Sequence, residues 1–434
     1  MYRPRPQKKR PIWLLLIPFI VLYLFSSQHT LWASLYDRLI PHAHGGGGKV
    51  AATPTPPPTL TQVVQRDLAL WPFTAHSPWN VPLATTAQLA ASNDACDSDL
   101  HDTAYAANMN AATWSHAIYV AKASDPLTPI SYDPASGHAD TLSVTINIPI
   151  GATPSPPAVV DGGDARMYII DPTHHYVEEL WKAHPRPGGG WLAWAIVRND
   201  LTTDGIGHYG TRAYGGSGIG GLIRVGELEN GIHHAIAFAV PQAKEVDHWV
   251  WPAIANDSYP PSTYTGSIPM GQLVALPPTI DVATLGLSPQ GLAMAHALQD
   301  YGGYVVDSST DYSYYADTPV QHELPASFNS DLNKLHFLLH CVTSNGPNTI
   351  GGAPLTAPRR APWAPLLTNE SAFPSRLPQD TPTRDIDIPR TGCPYTISTT
   401  VVREVGALCA VYCAGCIQEL TTRKGSAFIA ECES

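Results

Sequence analysis

The segment from Gly215 to Pro241 carries the densest set of side chains that could do chemistry. Arg224 and Glu227 lie ten and seven residues before His234. A partly buried imidazole can act as an acid, a base or a sugar-binding group near neutral pH. We predict that His234 is an acid/base in a cleft, with Glu227 or Glu179 as its carboxylate partner. Arg224 would hold an anionic group or orient the glutamate, whereas the alternative for His234 is a core residue hydrogen-bonded to a neighbour.

The residues around His234 alternate as those of a strand do. In a strand over 232–240, His234 shares an apolar face with Ile236, and His233 points to the other face. The two histidines then cannot both bind one metal ion, so we predict no metal site, and the sequence identifies no cofactor. The glycine-rich stretch 215–221 lacks the Gly-Lys-Ser/Thr ending of a phosphate-binding loop, and no strong strand precedes it.

Acidic and aromatic side chains elsewhere suit a sugar polymer. Most glycoside hydrolases place two carboxylates across the scissile bond, and we expect Glu179 to point inward because it shares a strand face with Val177. Asp307 is a candidate polar contact beside another strand. Trp249 and Trp251 flank a predicted loop edge, where their rings could stack on sugars, and core packing is the alternative for each. The same alternatives hold for four more tryptophans: Trp71, Trp79, Trp191 and Trp194.

A mainly β fold must position these residues. Period-two segments separated by glycine-rich turns predict a β-sandwich or jelly-roll-like domain with at least one docked helix. The helix is marked by Ser288 as its N-cap, Pro289 at its first position and glycines at 302–303. The predicted strands are 141–150, 165–170, 176–182, 191–198, 232–240, 272–276 and 304–306.

The N-terminus is typical of an envelope protein. Five basic residues lie within residues 1–10, and a run of fourteen mostly apolar residues extends from Ile12 to Phe25. That order predicts a cytoplasmic N-terminus, a single uncleaved anchor and an exported remainder, or a secreted protein if the segment is a cleaved signal. The predicted organisation is a basic stub at 1–10, a membrane segment at 11–32, a Gly/Pro-rich linker at 33–66, an exported β-rich domain at 67–367 and a Cys-rich tail of uncertain structure at 368–434.

Charge and cysteine usage limit the partners. Beyond residue 10, the chain of 434 residues holds 20 basic and 36 acidic residues, which disfavours nucleic acid, anionic lipid and, without a local basic patch, any highly anionic polymer. We therefore expect contact with a membrane only through the N-terminal helix, and no nucleic-acid partner. Seven cysteines, five of them after residue 392, favour disulfides in an oxidising compartment, with zinc as an alternative for the tail.

Several motifs in the stretch from about Trp79 to Leu367 resemble those of a family of exported bacterial proteins without an assigned activity. The motifs are Ser77-Pro78-Trp79-Asn80, Gly220-Gly221-Leu222-Ile223-Arg224, Ile232-His233-His234-Ala235-Ile236-Ala237-Phe238, Ile268-Pro269-Met270-Gly271, Ala297-Leu298-Gln299-Asp300-Tyr301-Gly302 and Asn345-Gly346-Pro347-Asn348. In that pattern His234 holds the motif position and His233 a variable one. The resemblance implies an exported β-rich domain and no particular reaction.

Together these patterns predict an extracytoplasmic, membrane-anchored protein that binds or cleaves a polysaccharide. They do not decide whether it is an enzyme. The alternative is a non-catalytic cell-surface or assembly protein whose aromatic residues fill its core. The positions of Trp249, Trp251 and His234 distinguish the two, because one open groove favours sugar contact and burial of all three favours the alternative.

Overall fold

The computed structural model describes residues 66–137, 143–206, 210–368 and 370. The predicted membrane segment, nearly all of the predicted linker and the cysteine-rich tail from residue 371 lie outside these ranges. Within the ranges, regular structure is mostly β, arranged in several mixed sheets with few helices. No helix among the described residues is long and apolar enough to cross a membrane.

Sixteen strands lie within the described residues. They are β1 Ala107–Asn110, β2 Ala117–Val120, β3 Leu127–Tyr132, β4 Ser143–Asn147, β5 Met167–Ile170, β6 Tyr176–Trp181, β7 His184–Pro185, β8 Trp191–Ala193, β9 Ala195–Asp200, β10 Ile236–Pro241, β11 Glu245–Trp249, β12 Ile268–Met270, β13 Leu273–Ala275, β14 Gly303–Ser309, β15 Tyr312–Tyr315 and β16 His340–Cys341.

The α-helices of the same ranges are α1 Ala95–Leu100, α2 Glu227–Asn230, α3 Pro289–Asp300 and α4 Phe328–His336. Short 3-10 helices occur at Pro134–Ser136, Val159–Asp161, Gln242–Lys244, Pro261–Thr263, Val282–Leu285, Thr318–His322 and Ile350–Gly352. The predicted helix is confirmed as α3, whose N-cap Ser288 accepts a hydrogen bond from the amide of Gly291. A serine cap, a proline at the first position and a following glycine are strong local signals that need no tertiary help.

The largest sheet has six strands in the order β1-β15-β10-β14-β13-β16. It is mixed, because β10 pairs parallel with β14 and antiparallel with β15. All six residues of β10 are buried. A central strand that is covered on both faces carries apolar side chains at every position, which accounts for the uninterrupted sequence Ile-Ala-Phe-Ala-Val-Pro.

Two four-stranded sheets, β2-β5-β6-β9 and β4-β3-β8-β7, enclose a second apolar core. Strand β5 shows that the first of these sheets contributes to two apolar cores. Met167 and Ile169 contribute to this second core, whereas Tyr168 and Ile170 contribute to the core of the six-stranded sheet. Successive side chains of a strand alternate between faces, so this sheet is buried on both sides.

Two predicted strands differ from the observed ones. The segment 191–198 is split at Trp194, since β8 pairs with β3 and β7, and β9 pairs with β6 in another sheet. The segment 232–240 becomes a strand only from Ile236, because the amide of Ala235 donates to Trp79 O and not to a neighbouring strand. His233 and His234 therefore precede the strand, so strand alternation does not set their directions, although His233 is exposed and His234 is buried.

A disulfide joins helix α1 to strand β16. It links Cys96 to Cys341, with the two Cα atoms 6.3 Å apart. The buried carboxylate of Asp97 accepts a hydrogen bond from the amide of Cys341 at 2.8 Å and also contacts His340. Covalent and polar contacts thus fix the same two segments to each other.

Candidate functional site: the Arg224–Glu227–His234 cleft

The loop between the glycine-rich segment and β10 begins with a close approach to Trp79. Gly221 has a φ of 68°, and a Cβ there would lie 2.4 Å from an atom of the Trp79 ring. Only glycine combines that backbone conformation with so little space. Two residues later, the amide of Ile223 donates to Tyr315 O, which anchors the loop to strand β15 and sets the position of Arg224.

Glu227 turns back toward Arg224 at the start of α2. Gly226, with a φ of 86°, is the N-cap of this one-turn helix. The Oε2 atom of Glu227 accepts a hydrogen bond from the backbone amide of Arg224 at 2.7 Å. The Gly226 amide donates to Glu323 Oε1 at 2.8 Å, which ties the turn to a distant segment. The carboxylate of Glu227 is thereby fixed by local backbone geometry.

His234 lies against that carboxylate. Its Nε2 atom is 3.2 Å from Glu227 Oε2, and its Nδ1 atom is 2.8 Å from the carbonyl oxygen of Ala235. A neutral imidazole has one donor and one acceptor nitrogen, so only the imidazolium form can donate to both oxygens. Burial alone would lower the pKa of His234, but the Glu227 carboxylate and the hydrogen bond to Ala235 outweigh it and raise the pKa above its usual value.

Arg224 is the least satisfied polar residue of this group. Its side chain is 10% exposed. Within the described residues, its Nε and Nη1 atoms have no hydrogen-bond acceptor. The carboxylate of Asp317 lies nearby, with its Oδ2 atom 4.0 Å from Nε. Burial lowers the pKa of Arg224, and Asp317, Glu227 and Asp67 only partly oppose that effect.

These three residues line one open cleft of about 270 Å³. Val225, which is 57% exposed, lies at its rim. A smaller hollow of about 10 Å³ extends from Arg224 and His234 toward Trp79. The remaining residues of the larger cleft are Leu70, Trp71, Gly226, Asn230, Gly231 and His233.

Trp71 supplies the aromatic wall of the cleft. Its Nε1 atom donates to Asn80 Oδ1 at 2.9 Å, and its ring centroid lies 6.2 Å from that of His233. The indole is thus held by this hydrogen bond and by the guanidinium of Arg66, 5.2 Å over its ring, while the ring also borders the open volume. Aromatic rings with a fixed polar edge are suited to contact with sugars.

Comparisons of this chain with protein families, with curated proteins and with solved structures found no match. The resemblance of its motifs to exported bacterial proteins therefore stays a prediction.

Glu179 is not part of the cleft. It is fully buried in β6 and accepts hydrogen bonds from Ser217 Oγ at 2.6 Å and Asn199 Nδ2 at 2.9 Å. Gly218 N donates to both of its oxygens at 2.9 Å, and Thr211 Oγ1 donates at 3.1 Å. Burial raises the pKa of Glu179, although these hydrogen bonds oppose the shift. The glycine-rich loop therefore does hold an anion, but the anion is a carboxylate of the same chain.

Asp307 lies in a different polar cluster. Its Oδ2 atom is 3.0 Å from Arg166 Nη2 and 3.9 Å from Arg212 Nη1. Burial raises the pKa of Asp307 to about 7, with Arg166 opposing the shift and Asp257 adding to it. Asp307 does not line the cleft, so the structure separates it from His234.

The two tryptophans predicted to bind sugar also lie apart from His234. Trp249 is 44% exposed at the end of β11 and stacks on His248 with ring centroids 6.5 Å apart. Trp251 is half-buried. Neither lines the cleft, and the expected groove of Trp249, Trp251 and His234 is not formed. The alternative outcome is not met either, because Trp249 is exposed.

Sequence reasoning missed Asp317 and Asn230 as neighbours of Arg224. Asp317 follows strand β15 and is brought close by a parallel bridge between Ile223 and Ala316. No local pattern marks such a contact, although Asn230 lies in the same short turn as Glu227. Within the described ranges, no three histidine, cysteine, aspartate or glutamate side chains are placed to hold a metal ion.

Proposed function

We propose that this protein binds or cleaves a polysaccharide outside the cytoplasm, and that the Arg224–Glu227–His234 cleft is the site. One observation carries the proposal: an open cleft joins an aromatic wall, Trp71, to three polar groups that can bind ligand atoms. Concave sites with a few convergent polar groups are the usual places for ligand recognition. Sugar polymers need such a mixture of ring faces and hydrogen-bonding groups.

Binding is better supported than cleavage. Among the described residues, Glu227 is the one carboxylate in the cleft lining, and its Oε2 atom already has Arg224 N and His234 Nε2 as partners. Most glycoside hydrolases use two carboxylates across the bond. Both nitrogens of His234 already face oxygens of this chain, Glu227 Oε2 at Nε2 and Ala235 O at Nδ1, so His234 acts as an acid only if its Nε2 proton leaves Glu227 for the leaving oxygen.

Export and anchoring belong to the same proposal. The basic and apolar order at residues 1–25 supports a membrane anchor with the domain outside the cytoplasm. The Cys96–Cys341 disulfide supports an oxidising compartment. A reporter fused at Pro58 tests this topology, and reporter activity in the cytoplasm would count against it.

For the fold, we propose that two of the sheets form a β-sandwich-like arrangement. It is supported where the sheets β2-β5-β6-β9 and β4-β3-β8-β7 share one apolar core. The parallel pairs β2/β5 and β3/β8 do not favour a jelly roll, whose strands are antiparallel.

A non-catalytic surface or assembly role is the second candidate. The observation that favours it is the exposure of Trp249 and Ile254, at 44% and 38%, away from the cleft. Exposed apolar groups indicate a contact with another protein where they form one contiguous patch, whereas single exposed ones are ordinary.

The deciding experiment is a polysaccharide panel applied to the full chain in detergent micelles. Binding is measured by affinity electrophoresis and cleavage by released reducing ends. We expect His234→Ala to weaken binding at least tenfold, and His175→Ala, an exposed histidine that does not line the cleft, to change binding less than threefold. Thermal unfolding of both variants separates a loss of the site from a loss of the fold. Absence of binding to every glycan, or equal binding by both variants and the parent, would refute the assignment.

A further inference from the structure

The unsatisfied guanidinium of Arg224 is the starting point. Two of its nitrogens, Nε and Nη1, are buried without an acceptor among the described residues, and the side chain borders both hollows. A buried donor without a partner costs free energy, so such groups are rare in folded proteins unless a ligand completes them. The free-energy cost of burying an unpaired group is greater for a charged group than for a neutral one.

The carboxylates nearby do not complete Arg224. Glu227 Oε2 is already bonded to Arg224 N and His234 Nε2. Asp317 Oδ1 accepts from the amide of Ile118 at 3.2 Å, and its Oδ2 stays 4.0 Å from Arg224 Nε, which is beyond hydrogen-bond length. Asp67 contacts His174 at 2.6 Å. No carboxylate oxygen of the described residues bonds to Nε or Nη1, so water, a residue outside the described ranges or a ligand supplies their acceptor.

His234 adds to the preference for an anion. Its two nitrogens face two oxygens, an arrangement that favours the imidazolium form and with it a second positive charge beside the cleft. Glu227 is the one carboxylate of the lining that offsets it. Arginine presents N–H groups in a planar fork that matches the two oxygens of a carboxylate.

We propose that the cleft recognises a carboxylate on its ligand, a uronic acid residue of a polysaccharide, paired with Arg224 while the sugar ring lies beside Trp71. This inference rests on the proposed function of the same cleft and names its substrate class. A sulfate ester or a phosphate diester carries anionic oxygens that the same fork can bind, so the test includes both.

The test compares matched ligands on the full chain in detergent micelles at low salt. Oligosaccharides containing glucuronate, galacturonate or mannuronate are titrated calorimetrically beside the same oligosaccharides with the carboxyl reduced to a primary alcohol. We expect the reduced forms to bind at least tenfold more weakly. Sulfated and phosphorylated oligosaccharides of equal length are the third and fourth arms.

Two variants locate the effect. Arg224→Lys keeps the charge but loses the fork, and should weaken uronate binding at least tenfold while changing binding of the reduced forms less than threefold. Arg198→Lys is the matched control, because Arg198 pairs with Glu178 and its side chain is 53% exposed, away from the cleft. It should leave all affinities within twofold. If Arg224→Lys does not fold, the comparison of uronate with reduced ligand on the parent chain decides alone.

The outcomes separate the two proposals. Equal binding of uronate and reduced oligosaccharides overturns the inference and leaves a polysaccharide site standing. Tighter binding of the sulfated or phosphorylated ligands overturns the uronate assignment as well. Binding of no saccharide in any arm overturns both the inference and the proposed function.

Discussion

Two polar regions of this protein each contain a buried charged group, and the hydrogen bonding of that group differs between them. Around Glu179, the carboxylate accepts hydrogen bonds from Ser217, Gly218, Asn199 and Thr211 and has no exposed surface. Around Arg224, two buried nitrogens have no acceptor among the described residues, although a cleft lies next to them. The first region is closed, and its charged group is fully hydrogen-bonded (saturated). The second region borders an open cleft, and its charged group lacks acceptors (unsaturated).

The difference shows which kind of buried polar group is available for ligand binding. A saturated charge such as Glu179 holds its surroundings together, and another ligand could reach it only by breaking existing bonds. An unsaturated charge beside open volume, such as Arg224, can gain free energy when a ligand arrives. Both lie near the glycine-rich segment that dominates this part of the sequence, so residue type alone does not separate them.

The largest effect should come from breaking the saturated region. Glu179→Gln places an amide donor among donors that need an acceptor, so we expect a loss of about 3 kcal/mol or more in the free energy of unfolding, or failure to fold. Chemical denaturation monitored by circular dichroism measures it. Glu227→Gln is the matched change in the open region and should cost less, because the amide oxygen of glutamine can still accept the hydrogen bond from Arg224 N. Equal losses in the two variants would remove the contrast.

Glu245 is a third buried polar group, and it tests whether a missing hydrogen bond affects stability when no open cleft lies beside the group. Glu245 is fully buried with its Oε1 unpartnered, and Ser308 Oγ donates to Oε2 at 2.9 Å. Burial raises the pKa of Glu245 from 4.5 to about 9. The unfolded chain loses this proton near pH 4.5 and the folded chain near pH 9, so the free energy of unfolding falls as pH rises between these values.

Glu245→Gln removes that pH dependence. We expect the variant to exceed the parent by on the order of 3 kcal/mol in unfolding free energy at pH 7 and to match it at pH 4. Urea denaturation at both pH values checks this. A variant that is less stable than the parent at pH 7 would mean that the ionised carboxylate contributes to the fold.

The smallest effect concerns the His234–Glu227 pair. Its raised pKa means that the pair stabilises the fold fully below the ordinary histidine pKa, and that this contribution is lost as pH rises through the folded pKa of His234. The parent should therefore exceed Glu227→Gln by about 1 kcal/mol at pH 6, with a smaller difference at pH 9. Glu229→Gln, an exposed change in the same helix, is the control and should show no such trend. A difference that does not vary with pH would argue against the imidazolium form.

Local signals in the sequence determined part of this protein. Ser288 and Pro289 marked the start of α3 because a cap and a proline act within one turn of chain. Turn signals on either side of the short run Tyr176–Trp181 marked β6, and the proximity of Arg224, Glu227 and His234 followed from a short loop rich in glycine. These features depend on residues that are close in the chain, so composition and spacing carry them.

Only the tertiary structure decided the rest. Glu178 and Glu179 point to opposite faces of β6, yet both are buried, because β6 belongs to a sheet covered on both sides. The Ile223–Ala316 bridge brings Asp317 close to Arg224. Trp249 does not line the cleft that contains His234, although Trp249 ends β11 and His234 lies just before β10. Such contacts join segments distant in sequence. Their energies come from shared burial, which no local pattern encodes.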